Sequence, residues 1–391
     1  MATGEQRSDF ARTIRNPSLA ASAVDSVNGF GTALYRVIAV ERPGQNVVMS
    51  PAGITIALAM TTAGAGSTTL DEMLSTLGID DAAAIHPSMN ALSAALDARS
   101  HDDVTVSIAN SLWGHNDLTF QPAFLEVLAG EYGAAMNTVD YVSDTEGARV
   151  AINGWVSDST EERIPELIDE GVLFSDTRLT LVNAVYLKAP WLAPFDPEAT
   201  VDGPFTLPDS SVVDVPMMTA TTPMMFATGD GWRAVELPYA GRELAMLIFV
   251  PEDGFFDQFE EIFLVTDATQ YLEAREVTLS LPRFGIESNV ALGDVLVAMG
   301  MVQAFTDSAD FSAMTVDEEL HIAAIVHQAN ITVDEVGTEA AAATAVMMQA
   351  TSAPAPLEPV TLVVDRPFVF VLRDRATGAI LFLGRVADPR N

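Results

Sequence analysis

The stretch "DEVGTEAAAATAVMMQATSAPAPLEP", residues 334–359, lies between two strand-like blocks near the end of the chain. It opens with charge and glycine, continues as an alanine run, and ends in small polar residues and prolines. Alanine is the best helix former, whereas the proline-rich end has the composition of a linker. The segment by itself is therefore ambiguous between a short exposed helix and a linker.

The composition indicates one large folded domain spanning residues 1–391. The chain is 49% hydrophobic and carries a net charge of -35, from 19 basic and 54 acidic residues. So much negative charge disfavours nucleic acid and heparin as partners, because both are polyanions. The absence of cysteine excludes disulfides and sulfur-based zinc sites. No motif indicates a cofactor, so none is expected.

The N-terminal stretch "MATGEQRSDFARTIRNPSLA" lacks the apolar core of a signal peptide. No apolar run approaches the ~18 residues that a membrane span needs. The most apolar stretch, residues 244–250, is predicted to be a buried strand. We therefore expect a cytoplasmic protein without a membrane partner, with an extracellular location as the alternative.

Hydrophobic periodicity places helices first and strands later. Residues 23–40, 54–62 and 152–168 have helical spacing, and Ser50 and Pro51 form a start signal for the second of these helices. Strand-like blocks dominate from residue 179, and a helix returns at 292–301. The last two strands are joined by "RDRATG", a hairpin turn with Gly378. This order predicts an α+β fold with a large antiparallel or mixed sheet.

Several blocks resemble the serpin family in the family's own order. They are "NVVMSPAGITIALAMTTAGAGSTTLDEM", "LVNAVYLKAPWLAPF", "VELPYAGRELAMLIFVPED", "ADFSAM", "HQANITVDEVGTEAAAATA" and "RPFVFVLRDRATGAILFLGRVADP". The resemblance runs from about residue 25 to the end and indicates a serpin of the bacterial, thermophilic and inhibitory type. It implies a single domain with three β-sheets, eight to nine helices and an exposed reactive-centre loop, with hinge and loop within residues 334–359.

The function that the resemblance implies is inhibition of a serine protease by a suicide substrate, and not an enzyme activity. The protease cuts the loop and forms an acyl-enzyme. The cut loop then inserts as a new strand into the central sheet and distorts the protease before it can deacylate. The expected partner is the target protease in a covalent complex, and the inhibitor is expected to be a monomer.

The residues of the loop satisfy the demands of insertion. Side chains alternate faces along a strand, so Thr338 and every second residue after it share one face, which carries no charge. Glu339 then falls on the outer face, and Gly337 offers conformational freedom at the hinge. No proline occurs between Gly337 and Ser352. The predicted hinge comprises Glu335, Gly337, Thr338, Glu339, Ala340, Ala341, Ala342 and Ala343.

The resemblance also places the reactive bond. In inhibitory serpins the loop-base glutamate is the seventeenth residue before the cut, counted inclusively. With Glu335 in that place, the bond is Thr351–Ser352. A small side chain at Thr351 suits elastase-like or chymotrypsin-like proteases, whereas a trypsin-like pocket would bury an unpaired carboxylate. Met347 and Met348 are alternative sites, at which cutting would shorten the inserting arm.

Other positions resemble the family's sheet-opening machinery. Glu335 and Arg283 match an ion pair at the top of the central sheet, with Trp191 beside it. Asn183 and His327 match a hydrogen-bonded pair at the middle of the sheet, near Ser50. The block "SPAGI" departs from the family because glycine occupies the usual serine position at residue 53, and "VDRPF" replaces "FNRPF".

Two other functions compete with inhibition. A non-inhibitory serpin that acts as a binding or chaperone-like protein is favoured by bulky, charged or proline residues at the inward hinge positions, and this chain has none there. An acidic hydrolase would use the clusters "HDD" at 101 and "HND" at 115. Isolated clusters of this kind are mostly solvated loops, so no metal site is expected.

Overall fold

The computed structural model describes residues 3–262, 269–339 and 358–390. Hinge residues Ala340 to Ala343 and the predicted reactive bond Thr351–Ser352 lie outside this range, as do Met347 and Met348. Within it, no helix is long and apolar enough to span a membrane. The eight α-helices of the described residues are α1 (Ala20–Glu41), α2 (Pro51–Thr62), α3 (Ser67–Thr76), α4 (Ile85–Asp97), α5 (Pro122–Val127), α6 (Thr145–Ser159), α7 (Phe256–Ile262) and α8 (Gly293–Ala298). Short 3-10 helices lie at Pro17–Leu19, Pro197–Ala199 and Gln303–Phe305, and a π-helical turn at Leu128–Tyr132.

The first sheet, called the central sheet, has the strand order β1-β4-β3-β5-β13-β12-β11. Its strands are β1 (Gly4–Gln6), β3 (Thr105–His115), β4 (Met136–Val139), β5 (Leu179–Pro190), β11 (Phe284–Ala291), β12 (Ala324–Val333) and β13 (Gly337–Thr338). It is mixed, because β12 pairs in parallel with β5 and antiparallel with β11.

The second sheet has the order β14-β10-β7-β8-β9-β15-β16-β2, with β6 paired to β7. Its strands are β2 (Val47–Met49), β6 (Val201–Thr206), β7 (Val212–Gly229), β8 (Trp232–Pro238), β9 (Leu244–Pro251), β10 (Glu273–Pro282), β14 (Pro359–Val363), β15 (Phe368–Asp374) and β16 (Ile380–Val386). The long β7 pairs with β6 and β10 along most of its length and with β8 at its end. Two of the three sheets implied by the resemblance are therefore continuous through this strand.

The two faces of the central sheet are buried against different partners. On the inner face, Leu181, Val185 and Leu187 of β5 belong to the main core, which also contains residues of α1, α2 and the second sheet. On the outer face, Val182 and Ala184 belong to a smaller cluster with α6 and the loop that follows it. The alternation of β5 thus assigns its odd-numbered residues inward and its even-numbered residues outward.

Most predicted elements are present, and one helix is shorter than predicted. Helix α2 begins at Pro51, and the Ser50 side chain caps it by accepting the Gly53 N–H. The prediction of a helix over residues 152–168 is wrong beyond Ser159, because α6 ends at that residue. Glu161 and Glu162 have left-handed φ angles of 51° and 61°, and the buried residues after them belong to a loop. Strand β3 was not predicted, since its region was assigned as helical.

An N-terminal segment covers the edge of the central sheet. Strand β1 pairs antiparallel with β4. Further along, Arg15 forms a bidentate pair with the carboxylate of Glu131, in which Nε lies 3.0 Å from Oε2. Buried Asn90 on α4 donates to the Thr13 carbonyl and accepts the Arg15 N–H. The pairing with β1 satisfies strand groups that would otherwise be exposed, and these bonds anchor the segment that carries β1, so the edge of β4 is protected from other chains.

We expect Arg15→Gln to lower the free energy of unfolding by about 1 kcal/mol. Glu131 is buried and loses its ionic partner, although the effect is reduced because 41% of the Arg15 side chain is exposed. Urea denaturation measures the change. The matched double variant Arg15→Gln/Glu131→Gln removes the uncompensated charge and should recover part of the loss. Equal stabilities of wild type and Arg15→Gln would show that the pair does not anchor the segment.

Candidate functional site

The candidate site is the place where β5 and β12 diverge in the central sheet. The two strands pair in parallel over six residue pairs, from Ala324 opposite Thr180 to Ala329 opposite Val185. Beyond that point β13 lies between them, with Thr338 opposite Ala189 on one side and opposite Val333 on the other. The start of the loop therefore occupies a strand position between two neighbours.

A tight turn leads the chain from β12 into β13. The Asp334 carboxylate accepts the N–H groups of Val336 and Gly337 at 2.8 and 3.1 Å, and the Asp334 N–H donates to the Gly337 carbonyl. Trp191 directly follows β5 and donates two hydrogen bonds to carbonyl groups of this turn. Its backbone N–H donates to the Val336 carbonyl and its indole N–H to the Asp334 carbonyl, at 2.8 and 2.9 Å. We call residues 334–339 the loop base.

Glu335 joins the turn to the second sheet. Its carboxylate Oε1 accepts from Arg283 Nε at 2.7 Å and from the Thr200 hydroxyl at 2.5 Å. Burial by itself would raise the pKa of Glu335, but the bonds from Arg283 and Thr200 outweigh it and lower the pKa. The structure thus brings Glu335, Arg283 and Trp191 together around one turn.

Gly337 is required by close approach rather than by backbone freedom. Its φ is not positive, in contrast to the conformational role expected from the sequence. A Cβ at this position would lie 2.2 Å from the Ala189 carbonyl oxygen and 2.6 Å from the Pro190 Cα. Only glycine lets β13 lie this close to β5.

Thr338 points to the inner face and is 1% exposed. Its hydroxyl lies 2.6 Å from the hydroxyl of Tyr239, and the Tyr239 ring stacks on Trp191 with centroids 4.4 Å apart. Burial raises the pKa of Tyr239, so the phenol stays protonated and available for this bond. Insertion of the loop base is thereby linked to the environment of Trp191.

Glu339 lies on the opposite face from Thr338, but it is not freely solvated as an outward residue would be. Its φ is 48°, and its amide donates to the Thr332 carbonyl at 3.0 Å. Only 9% of its side chain is exposed, and its Oε2 lies 3.5 Å from the Nε of Arg163. The loop after α6, which supplies Arg163, covers this position.

A buried chain of polar groups ties β5 and β12 together below the loop base. His327 Nε2 accepts the Ser50 N–H at 3.1 Å, so its proton is on Nδ1, which donates to Asn183 Oδ1 at 2.6 Å. The Asn183 amide donates in turn to Asn110 Oδ1 at 2.6 Å. Burial lowers the pKa of His327 to about 3, which keeps the ring neutral.

Gly53, the departure from the family pattern, is explained by this arrangement. A Cβ at residue 53 would lie 2.5 Å from the Asn183 amide nitrogen. The Asn183 side chain therefore fills the space of the missing serine and takes Asn110 on β3 as its partner. Sequence reasoning missed Asn110, because a single asparagine in an unpredicted strand carries no pattern.

The histidine–acid clusters considered for hydrolysis lie elsewhere. His101 Nε2 is 2.8 Å from Glu243 Oε2, and His115 Nε2 is 3.7 Å from Asp117 Oδ2. Within residues 3–262, 269–339 and 358–390, no group of three or more histidine or acidic side chains is arranged to hold a metal ion. These clusters do not converge with the loop base.

Comparison with known proteins identifies the family. The Serpin (serine protease inhibitor) family matches residues 25–389. The leukocyte elastase inhibitor of Sus scrofa is 35% identical over 92% of this chain and 97% of its own. An uncharacterized serpin-like protein of Thermococcus kodakarensis is 34% identical over 94% of this chain and 86% of its own. The structure of a thyroxine-binding globulin complex with thyroxine superimposes with a TM-score of 0.85 at 28% identity, covering 94% of this chain and 99% of that one. The chain belongs to the serpin family and has the serpin fold.

We expect stability to fall on acidification because of His327. The unfolded ring binds a proton below about pH 6.5, whereas the buried ring stays neutral until about pH 3. Within this window the unfolded state binds the extra proton, so His327 contributes a loss of about 1.4 kcal/mol for each pH unit. Urea denaturation across the window measures the slope, with His327→Gln as the non-titrating control. Identical slopes for both proteins would contradict the assignment.

Proposed function

We propose that the protein is a monomeric, single-domain suicide inhibitor of serine proteases. Membership of the serpin family supports protease inhibition in general. The observation that carries the mechanism is the position of β13, since Gly337 and Thr338 pair with both β5 and β12. A loop whose first residues already form a strand between two neighbours can extend that strand once its other end is cut.

The proposed reaction begins at the Thr351–Ser352 bond. The serine hydroxyl of the protease attacks the Thr351 carbonyl, the amine of Ser352 leaves with a proton, and an ester joins Thr351 to the protease. Residues from Ala340 to Thr351 then follow Thr338 into the central sheet. The inward positions carry alanine, threonine, valine and methionine, so the alternation places no charge on the inner face, against the main core.

The loop base and the buried polar chain are proposed to gate this insertion. Insertion must separate β5 from β12 along the six residue pairs that join them. The contact of His327 on β12 with Asn183 on β5 spans those strands, so it has to break and re-form. The ion pair of Glu335 with Arg283 anchors the end of the loop that stays in place.

The proposed target is an elastase-like or chymotrypsin-like protease. Thr351 presents a small β-branched side chain, which fits shallow apolar pockets and leaves the acidic pocket of a trypsin-like enzyme unpaired. Similarity to leukocyte elastase inhibitors supports this class. A non-inhibitory binding role remains the second candidate. It is less supported, because Thr338 is small, uncharged and already seated on the inner face.

We expect incubation with pancreatic elastase or chymotrypsin to give an SDS-resistant complex of inhibitor and protease. Thr338→Arg should be cleaved without forming the complex, since it would bury a charge against Tyr239. Thr338→Ser keeps the hydroxyl and serves as the matched control that still forms complex. Denaturing gels and mass spectrometry measure the complex and the cut site. Clean cleavage of the wild type without complex would contradict inhibition, and full complex formation by Thr338→Arg would contradict the register.

A further inference from the structure

Lys188 is the only lysine in the chain, whose other basic side chains are all arginines. It lies on β5, next to Ala189, which pairs with Thr338. Because β13 runs antiparallel to β5, continuing this register by one residue places Glu339 opposite Lys188. Both are outward positions of the central sheet, so their side chains share its outer face.

Glu339 is an unusual acidic residue, because its side chain is shielded from solvent although one of its carboxylate oxygens accepts no hydrogen bond. Its Oε2 has no hydrogen-bond partner, although the Nε of Arg163 lies 3.5 Å away, which is too far for a good hydrogen bond. Its contact with Arg163 is therefore an ion pair without a hydrogen bond. A buried carboxylate in this condition depends on nearby positive charge to remain ionised.

The charged groups that act on Glu339 come from the neighbouring elements. Arg163, from the loop after α6, and Lys188, from β5, favour the ionised carboxylate, whereas Glu161 opposes it. Tyr186 of β5 lies beside Arg163, and its own pKa is raised, mainly by burial. On the β12 side, the Thr332 carbonyl accepts the Glu339 amide. Burial is the largest influence and raises the pKa of Glu339.

Placing the Glu339 carboxylate between β5 and β12, which we call the seated position, costs desolvation free energy. This cost can be offset in two ways. A neighbouring cation stabilises the charge, and a proton removes it. When the end of the loop base is withdrawn from between β5 and β12, which we call the expelled position, water solvates the Glu339 carboxylate and neither a cation nor a proton is needed. The seated position therefore binds protons more tightly than the expelled one, and acid favours the seated position.

We propose that Lys188, together with Arg163, is a positioning residue of the loop base: it holds the Glu339 carboxylate between β5 and β12, and a proton on Glu339 can replace it. This inference deepens the proposed function, because a seated loop base is the start of insertion. It predicts that the position of the loop base depends on pH as soon as the lysine is removed.

Trp191 provides a signal for the loop base that requires no protease. Its indole donates to the Asp334 carbonyl and stacks on Tyr239, whose hydroxyl contacts Thr338. Withdrawal of Thr338 removes its contact with the Tyr239 hydroxyl and changes the surroundings of the ring that stacks on Trp191, so the emission of Trp191 should shift. The chain contains four tryptophans, and Trp191→Phe identifies the share of the emission that belongs to this one.

The test compares the emission of wild type and Lys188→Gln between about pH 8 and about pH 5. We expect Lys188→Gln to differ from wild type at the higher pH and to return to the wild-type spectrum on acidification. Lys188→Arg should match wild type throughout, because it restores the charge. The double variant Lys188→Gln/Glu339→Gln should keep the wild-type spectrum at every pH, since no carboxylate remains to be compensated.

Two results would overturn the inference. One is a Lys188→Gln spectrum equal to that of wild type at every pH, which would show that the lysine does not hold the loop base. The other is a changed spectrum that acid does not restore or that persists in the double variant, which would assign Lys188 to packing alone. Covalent complex formation by wild type is scored separately, so failure of the inhibitor proposal is distinguishable from failure of this one.

Discussion

The central sheet has two strands, β5 and β12, that are neighbours along part of their length and are separated by the loop base along the rest. Backbone N–H and C=O groups inside a protein must be paired, so wherever these strands separate another segment has to supply partners. Gly337 and Thr338 do so at the upper end. The requirement for glycine at 337, the inward hydroxyl at 338 and the tight turn at Asp334 all follow from placing a third strand in this space.

Two kinds of polar contact hold the strands at this junction, and they respond differently to acid. The chain from Ser50 through His327 to Asn183 is neutral and buried, and protonation of His327 would break it. The carboxylates of the loop base are stabilised by cations: Glu335 by its ion pair with Arg283, and Glu339 by its ion pair with Arg163 and by the nearby charge of Lys188. Acid thus weakens the tie between the strands, whereas a proton on Glu339 favours the position of that residue between them. Both effects promote a wider separation of β5 and β12, which links the pH response to the step that insertion requires.

Much of this arrangement can be predicted from the sequence, and the exceptions have physical reasons. Periodicity and capping signals identify α2 and most strands of the second half, and block resemblance identifies the pairing of Glu335 with Arg283. Asn110 and the edge strand β1 were not predicted, because neither a single asparagine nor a strand of three residues shows a hydrophobic period. The helix predicted to reach residue 168 ends at Ser159, since apolar residues of a loop can be buried with helical spacing by tertiary packing. The burial of Glu339 under the loop after α6 was not predicted either, because strand alternation assigns a residue to a face but does not reveal what packs against that face.

The central claim is that the sheet accepts the loop as a further strand, and the melting temperature of the loop-cleaved protein tests it most directly. Limited proteolysis within residues 340–357, followed by mass spectrometry to locate the cut, prepares the sample. Insertion adds a ladder of backbone hydrogen bonds between β5 and β12, so the melting temperature should rise by more than about 10 °C. An unchanged or lower melting temperature after complete cleavage would contradict insertion.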